Sequence, residues 1–283
     1  MRARIARLTP VRHLGKIITA SINILCTLAL LLPGLSHSAA PDRSRRGGIP
    51  QDRAGEIDRS DELDMIRPSG LQPQYPSQVI CPEIASPFGA QTRFDGSRRP
   101  AWEFGGYHGG IDISVPEGTP LLSLAAGAVV SKGEGGQLEG NYLWLRHGPE
   151  DTGLEYWVYA KYQHLESLPD LPIGARVKRG QAVARSGKTG TTGGHFGASS
   201  YPHLHLTTRR SSKDDLNVGS RGSTGGQNLF DPLAIYHDAR AMSHDPADSR
   251  PDQPTVAIPY VTTDGQVWPQ NTRVVWPVAC RPR

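Results

Sequence analysis

The stretch YPHLHLTTRR, residues 201–210, sets His203 and His205 two positions apart between leucines. In an extended strand, side chains two apart share a face, so both imidazoles would emerge together while Leu204 and Leu206 turn to the core. A pair of imidazoles can serve a metal or move protons; the alternative is a strand with a polar face. A second cluster, YHGGIDISVP, places His108 and Asp112 on either side of three residues, with Gly109-Gly110 letting the backbone turn sharply between them. An imidazole and a carboxylate delivered from a loop and the following strand could bind a cation jointly, and with His205 they make a His, Asp, His set. Three nitrogen and oxygen ligands match a catalytic zinc site, which keeps its fourth position for water, whereas a structural site more often closes with four ligands and favours cysteine. Water in that position loses its proton near neutral pH, and the metal can polarise a carbonyl under attack. Peptide hydrolysis would still need groups that accept and return a proton and stabilise the oxyanion. His203 and His164, the latter in YAKYQHLESL, are candidates.

The elements that must position these groups are short. GIDISVP, LLSLAAGAVVSKG, NYLWLRHG, EYWVYAKYQHL, QAVARSGK and PHLHLTTR are strand-like runs punctuated by glycine, proline and asparagine, the pattern of an antiparallel sheet or sandwich. With 32 glycines and 24 prolines in 283 residues and no internal repeat, an all-β protein is expected. FDPLAIYHDAR predicts a short helix closing the core, and the tail from Pro254 to Cys280 predicts a hairpin or an extended wrap.

The first 38 residues read as an export signal: five basic residues and no acidic one, then the uncharged Ile17–Leu32, then small residues up to Ser38. As a helix that apolar run spans roughly 24 Å, short of the ~30 Å hydrocarbon core, which favours a cleaved signal peptide over a permanent anchor. Cys26 follows Leu25 rather than a small residue, against lipoprotein-type cleavage. The formal charge of +4 belongs to this leader, since without it 26 basic side chains face 27 acidic ones, and nothing supports a nucleic-acid partner. Residues 39–78, dense in charge, proline and glycine, predict a disordered linker or pro-segment. The remaining Cys81 and Cys280, in an exported chain, are expected to form a disulfide.

HGGID, YAKYQHL, VKRGQAVARSGKTG and HLH occur in the order found in lysostaphin-type zinc metallopeptidases, also called LytM-like, and the chain resembles that family over roughly residues 85–236, flanking SPFGAQTR and FDPLAIY included. The resemblance implies an antiparallel β fold and one Zn2+ per chain held by His108, Asp112 and His205. It implies that His164 and His203 are catalytic, assisting a zinc-bound water, and that the substrate is the cross-linked stem peptides of bacterial peptidoglycan. The resulting layout is a signal peptide at 1–38, a linker at 39–78, the peptidase domain at 79–240 and a C-terminal extension at 241–283 tied back by the disulfide. A periplasmic or secreted location follows, with membrane contact only through the signal peptide. No wall-binding module is visible, which leaves room for a cell-wall partner protein.

Two stretches depart from the family pattern: TGTTGGHFGASSYPHLH, longer than the usual connection, and the polar insertion SSKDDLNVGSRGSTGGQ. His195 in the first reads as a surface histidine or as part of a substrate-shaping rim. A different class of function is a non-catalytic regulator that activates another wall hydrolase; such relatives lack one or more ligands, and this sequence lacks none. A third is an exported zinc hydrolase acting on other peptides. His147 is expected to end a strand and cap a turn. Trp144, Trp157, Trp268 and Trp276 are expected in the core or near the disulfide, and Glu150, Asp151, Asp214 and Asp215 read as solvated loop charge.

Overall fold

The computed structural model describes residues 66, 68–101, 104–191, 201–216, 218, 228–238 and 254–283. Residues 1–38, read as a signal peptide, most of the segment read as a linker, His195 and most of both insertions lie outside the described residues. The fold is mainly antiparallel β. Its large sheet contains β1 (Ile84–Ser86), β2 (Ile111–Ser114), β3 (Gly127–Glu134), β4 (Asn141–His147), β5 (Trp157–Leu165), β6 (Arg176–Val177), β7 (His203–Ser211) and β8 (Leu229–Phe230). The order is β1-β2-β7-β5-β4-β3-β6, with β8 beside the far end of β7. Among the described residues two α-helices occur, both short: α1 (Pro149–Thr152) and α2 (Ala234–Asp238), the second where the sequence predicts it.

Alternation sorts the side chains. Ile111 and Ile113 of β2, Leu204 and Leu206 of β7, and Leu143 and Leu145 of β4 are fully buried. Each such side chain stabilises the fold by roughly 1.5–3 kcal/mol relative to exposure. On β5, Tyr162 turns inward and its hydroxyl donates to the Leu122 carbonyl at 2.8 Å. The opposite face carries Gln163 and Lys161 on β5 against His205 and Thr207 on β7, residue for residue. That face is the floor of the cleft described below.

Four small two-stranded sheets accompany the large one among the described residues. Ala182–Arg185 pairs with Pro120–Leu122, and Tyr260–Val261 forms the expected hairpin with Val267–Trp268. Cys81 and Cys280 are bonded across 199 residues, beside the antiparallel pair Val79–Ile80 and Arg281–Pro282. Closing so long a loop restricts the unfolded chain, a stabilisation on the order of 5 kcal/mol at most. Gln72–Gln74, inside the segment read as linker, pairs in parallel with Thr255–Ala257. Its partner is so remote in sequence that no local signal marks it.

Some side chains differ from expectation. Trp276 is a core residue, edge-on to Tyr75 at 5.9 Å, and Trp144 is buried as expected although it also borders the cleft, but Trp268 is 44% exposed. Asp151 is not loose loop charge: it accepts from Gly148 N at 3.0 Å at the start of α1 and pairs with Arg176 at 3.2 Å. Asp214 takes a two-oxygen contact from Arg146 at 2.7 Å and accepts from the Tyr159 hydroxyl at 3.1 Å. The ion-pair partners of both acids lie on strands distant in sequence.

His147 ends β4 as expected, but it is completely buried, with Nδ1 donating to the Ala126 carbonyl at 2.7 Å. Burial, opposed by that hydrogen bond and by Asp151, pushes its pKa from 6.5 to about 4. The unfolded chain therefore takes up a proton that the folded chain refuses, so this contribution is complete above pH 6.5 and is lost as pH falls towards 4. The loss expected from this residue is about 3 kcal/mol. Urea unfolding across pH 4–7 checks it: His147→Asn should show a flatter decline than the wild type, and parallel declines would contradict it.

Candidate metal centre

The centre is built on the pairing of β2 with β7, which sets Asp112 directly opposite His205 and Ser114 opposite His203. His108 enters from the turn before β2. Gly110 allows that approach, because a Cβ there would lie 2.4 Å from the Leu206 carbonyl oxygen and 2.8 Å from His205 Nε2. Three atoms meet as a result: His108 Nε2 is 3.1 Å from His205 Nδ1 and 3.1 Å from Asp112 Oδ1, and His205 Nδ1 is 2.8 Å from the same oxygen. Among the described residues this is the group that could hold a metal ion. The separations approach the roughly 3.3 Å edge of a tetrahedron with bonds of about 2.0–2.1 Å, so the donor set fits zinc in both chemistry and spacing.

Each imidazole is held from behind. His108 Nδ1 donates to the Pro87 carbonyl at 2.9 Å, which leaves Nε2 as the lone pair facing the centre. His205 is turned the other way, with Nε2 2.9 Å from the Thr207 hydroxyl and Nδ1 facing inward. Such outer contacts fix tautomer and ring orientation for a ligand. Asp112 is held as well: its second oxygen lies 3.5 Å from Arg99 Nη2, which donates to Ser86 Oγ at 2.9 Å.

His203 and His164 stand beside the three. His203 Nε2 is 3.6 Å from Asp112 Oδ1, and its Nδ1 donates to the Tyr201 carbonyl at 3.1 Å. The Tyr201 ring stacks on it at 4.3 Å. His164 lies 4.6 Å from His203 and 5.8 Å from His205, ring centre to ring centre, with Nδ1 donating to the Thr189 carbonyl at 2.9 Å. Both keep an Nε2 lone pair for the cleft. His164 gets there through a backbone irregularity. Between Leu143 and Asn141 on β4, β5 runs from Tyr162 to Leu165, one residue more than its partner, and His164 adopts φ 61°. This bulge lets the consecutive Gln163 and His164 both line the cleft, which strict alternation forbids. Histidine tolerates positive φ better than most residues, at a cost on the order of 1 kcal/mol.

Electrostatics follow from burial and proximity. Burial raises the Asp112 pKa, but His108, His203 and the hydrogen bonds from His108 and His205 outweigh it and hold the carboxyl well below its ordinary range. Burial lowers His205 to about 4, despite support from Asp112. His203 is lowered chiefly by burial, and His164 falls well below its usual value through burial and the neighbouring His203 and His205. At neutral pH these three imidazoles are neutral, able to ligate or to accept a proton.

The cleft of about 230 Å³ runs from these histidines over Lys161, Trp144 and Arg209. All five residues singled out from the sequence are brought together. Arg99, Tyr201, Thr207 and Lys161 are additions. For Thr207 and Lys161 the signal was available in the two-residue alternation from His205 and Gln163; for Arg99, on a loop 13 residues before Asp112, there was none.

Residues 106–218 match the model described as Peptidase family M23. An uncharacterized metalloprotease of Haemophilus influenzae is 36% identical over 136 residues, covering 47% of this chain and 23% of that protein. Peptidoglycan DD-endopeptidase ShyC of Vibrio cholerae is 36% identical over 98 residues, covering 35% and 19%. The chain thus spans about a fifth to a quarter of the length of these relatives. The catalytic domain of lysostaphin from Staphylococcus simulans is similar at 26% identity and a TM-score of 0.35, over 48% of this chain and 84% of that one. His108, Asp112, His164, His203 and His205 all fall inside residues 106–218, the segment that is similar to peptidase family M23.

Proposed function

We propose that the protein is an exported, zinc-dependent endopeptidase that hydrolyses peptide cross-links of bacterial peptidoglycan. The observation that carries this reading is the convergence of His108 Nε2, Asp112 Oδ1 and His205 Nδ1, with two further imidazoles presenting lone pairs beside them. The relatives named as peptidoglycan endopeptidases support the substrate. A non-catalytic regulator has no feature in its favour, since the ligand set is complete.

His108, Asp112 and His205 would hold one zinc ion per chain. When bound, such an ion supplies Lewis-acid chemistry, activating water and polarising a carbonyl. The chain supplies the rest. His203 takes up a proton at Nε2, because Nδ1 is committed to the Tyr201 carbonyl, and Asp112 at 3.6 Å steadies the imidazolium formed. The same Nε2–H can then pass to the leaving amine. His164, fixed through Nδ1 by Thr189, presents its Nε2 beside the same point and, once protonated, can donate to a developing oxyanion. Tyr201 stacks on His203 and limits ring rotation.

The export signal at residues 1–38 and a periplasmic or secreted location belong to the same proposal. No helix of the described residues is long and apolar enough to cross a membrane. A cell-wall partner would account for targeting.

Two measurements test the reading. Purified cross-linked peptidoglycan treated with the protein should release peptide termini detectable by mass spectrometry, blocked by a chelator and restored by zinc; no chelator-sensitive release would count against it. His205→Ala and Asp112→Ala should lose both zinc and activity, whereas His203→Ala and His164→Ala should retain zinc by elemental analysis and lose on the order of 10²–10⁴ in rate. Loss of zinc from His203→Ala would reverse the division between ligand and proton carrier.

A further inference from the structure

Lys161 occupies the cleft floor one step beyond the metal centre. It lies opposite Thr207 on β7 and Trp144 on β4, and Thr207 is two residues from His205. Two residues of strand span roughly 7 Å, the reach of one or two residues of an extended peptide. The ammonium group lies 4.9 Å from the centre of the Tyr142 ring and 5.5 Å from that of Trp144. These rings hold a cation in place without neutralising it. The Lys161 side chain is 13% exposed, and a charge so covered requires a counter-ion.

That counter-ion is the Glu139 carboxylate, and its origin is informative. Glu139 belongs to the turn between β3 and β4, closed by Gly135 N donating to the Gly140 carbonyl at 2.8 Å, and its side chain is 35% exposed. It folds back over Gly135, where an added Cβ would lie 2.4 Å from the Glu139 side chain. The cleft floor therefore supplies a fixed cation, while the carboxylate upon it comes from a partly exposed loop at the cleft wall. An exchange of one carboxylate for another conserves the charge pairing.

We propose that Lys161, with Thr207 and Arg209 beside it, forms a subsite for a free carboxylate of the substrate, and that Glu139 holds the place of that carboxylate until substrate displaces it. This rests on the peptidase reading above and deepens it. The favoured substrate is a stem peptide with an unamidated carboxyl group one or two residues from the cut bond.

The test uses two soluble cross-linked stem-peptide dimers, identical except that this carboxyl is free in one and a carboxamide in the other. Calorimetric binding to the full chain in chelator reads the subsite without turnover, so a failure of hydrolysis leaves it measurable. The wild type should bind the free acid about tenfold or more tighter than the amide, the scale of a charge-assisted hydrogen bond. Lys161→Met should reduce that ratio to about two or less, Lys161→Arg should retain it, and Glu139→Gln should tighten the free acid by removing its competitor. A wild-type ratio near one, or a folded Lys161→Met with the wild-type ratio, overturns the subsite. Absence of tightening in Glu139→Gln overturns the placeholder role, and that variant and Lys161→Arg remain informative if Lys161→Met does not fold.

Discussion

The antiparallel register that sets Asp112 against His205 decides whether this protein has a centre at all. Side chains alternate faces along a strand, so a slip of one residue between β2 and β7 would send the histidines to the core side and the leucines to the cleft. What holds the register is apolar. Ile111 and Ile113 face inward from one strand and Leu204 and Leu206 from the other, all with no exposure. The cost of exposing four such side chains makes the slipped pairing inaccessible, and the polar groups inherit a position that packing has already fixed.

Within that frame, hydrogen bonds do the aiming. Three imidazoles spend one nitrogen on a backbone carbonyl and a fourth sits against a threonine hydroxyl, so each ring presents its other nitrogen inward. Asp112 divides its oxygens between the histidines and Arg99. A buried carboxylate is costly unless something positive comes to it. Arg99 supplies part of that charge, and the donor triangle is arranged for more.

Much of this was legible in the sequence, and what was not has a physical cause. His203, His205, Asp112 and the inward leucines follow from alternation alone, and the Gly109-Gly110 turn marks how His108 arrives. His164 could be singled out by type and by family resemblance, but alternation assigns it to the wrong face; only the bulge beside Gln163, a consequence of pairing with β4, brings it round. Arg99, the pairing of Gln72–Gln74 with Thr255–Ala257, and the ion-pair partners of Asp151 and Asp214 depend on contacts remote along the chain, which leave no local pattern to read. Trp268 shows the converse limit: hydrophobic type alone did not place it, since it is substantially exposed, whereas Trp144 is buried beside the cleft.

The central claim is that one ion is held by three specific atoms, and X-ray absorption at the zinc edge, combined with anomalous scattering from crystals of the zinc-loaded protein, tests it most directly. The account predicts a single zinc bound by His108 Nε2, His205 Nδ1 and an Asp112 oxygen, with no sulfur neighbour. A zinc bound through His164 or His203 in place of Asp112, or one seated away from the β2–β7 pairing, would contradict it.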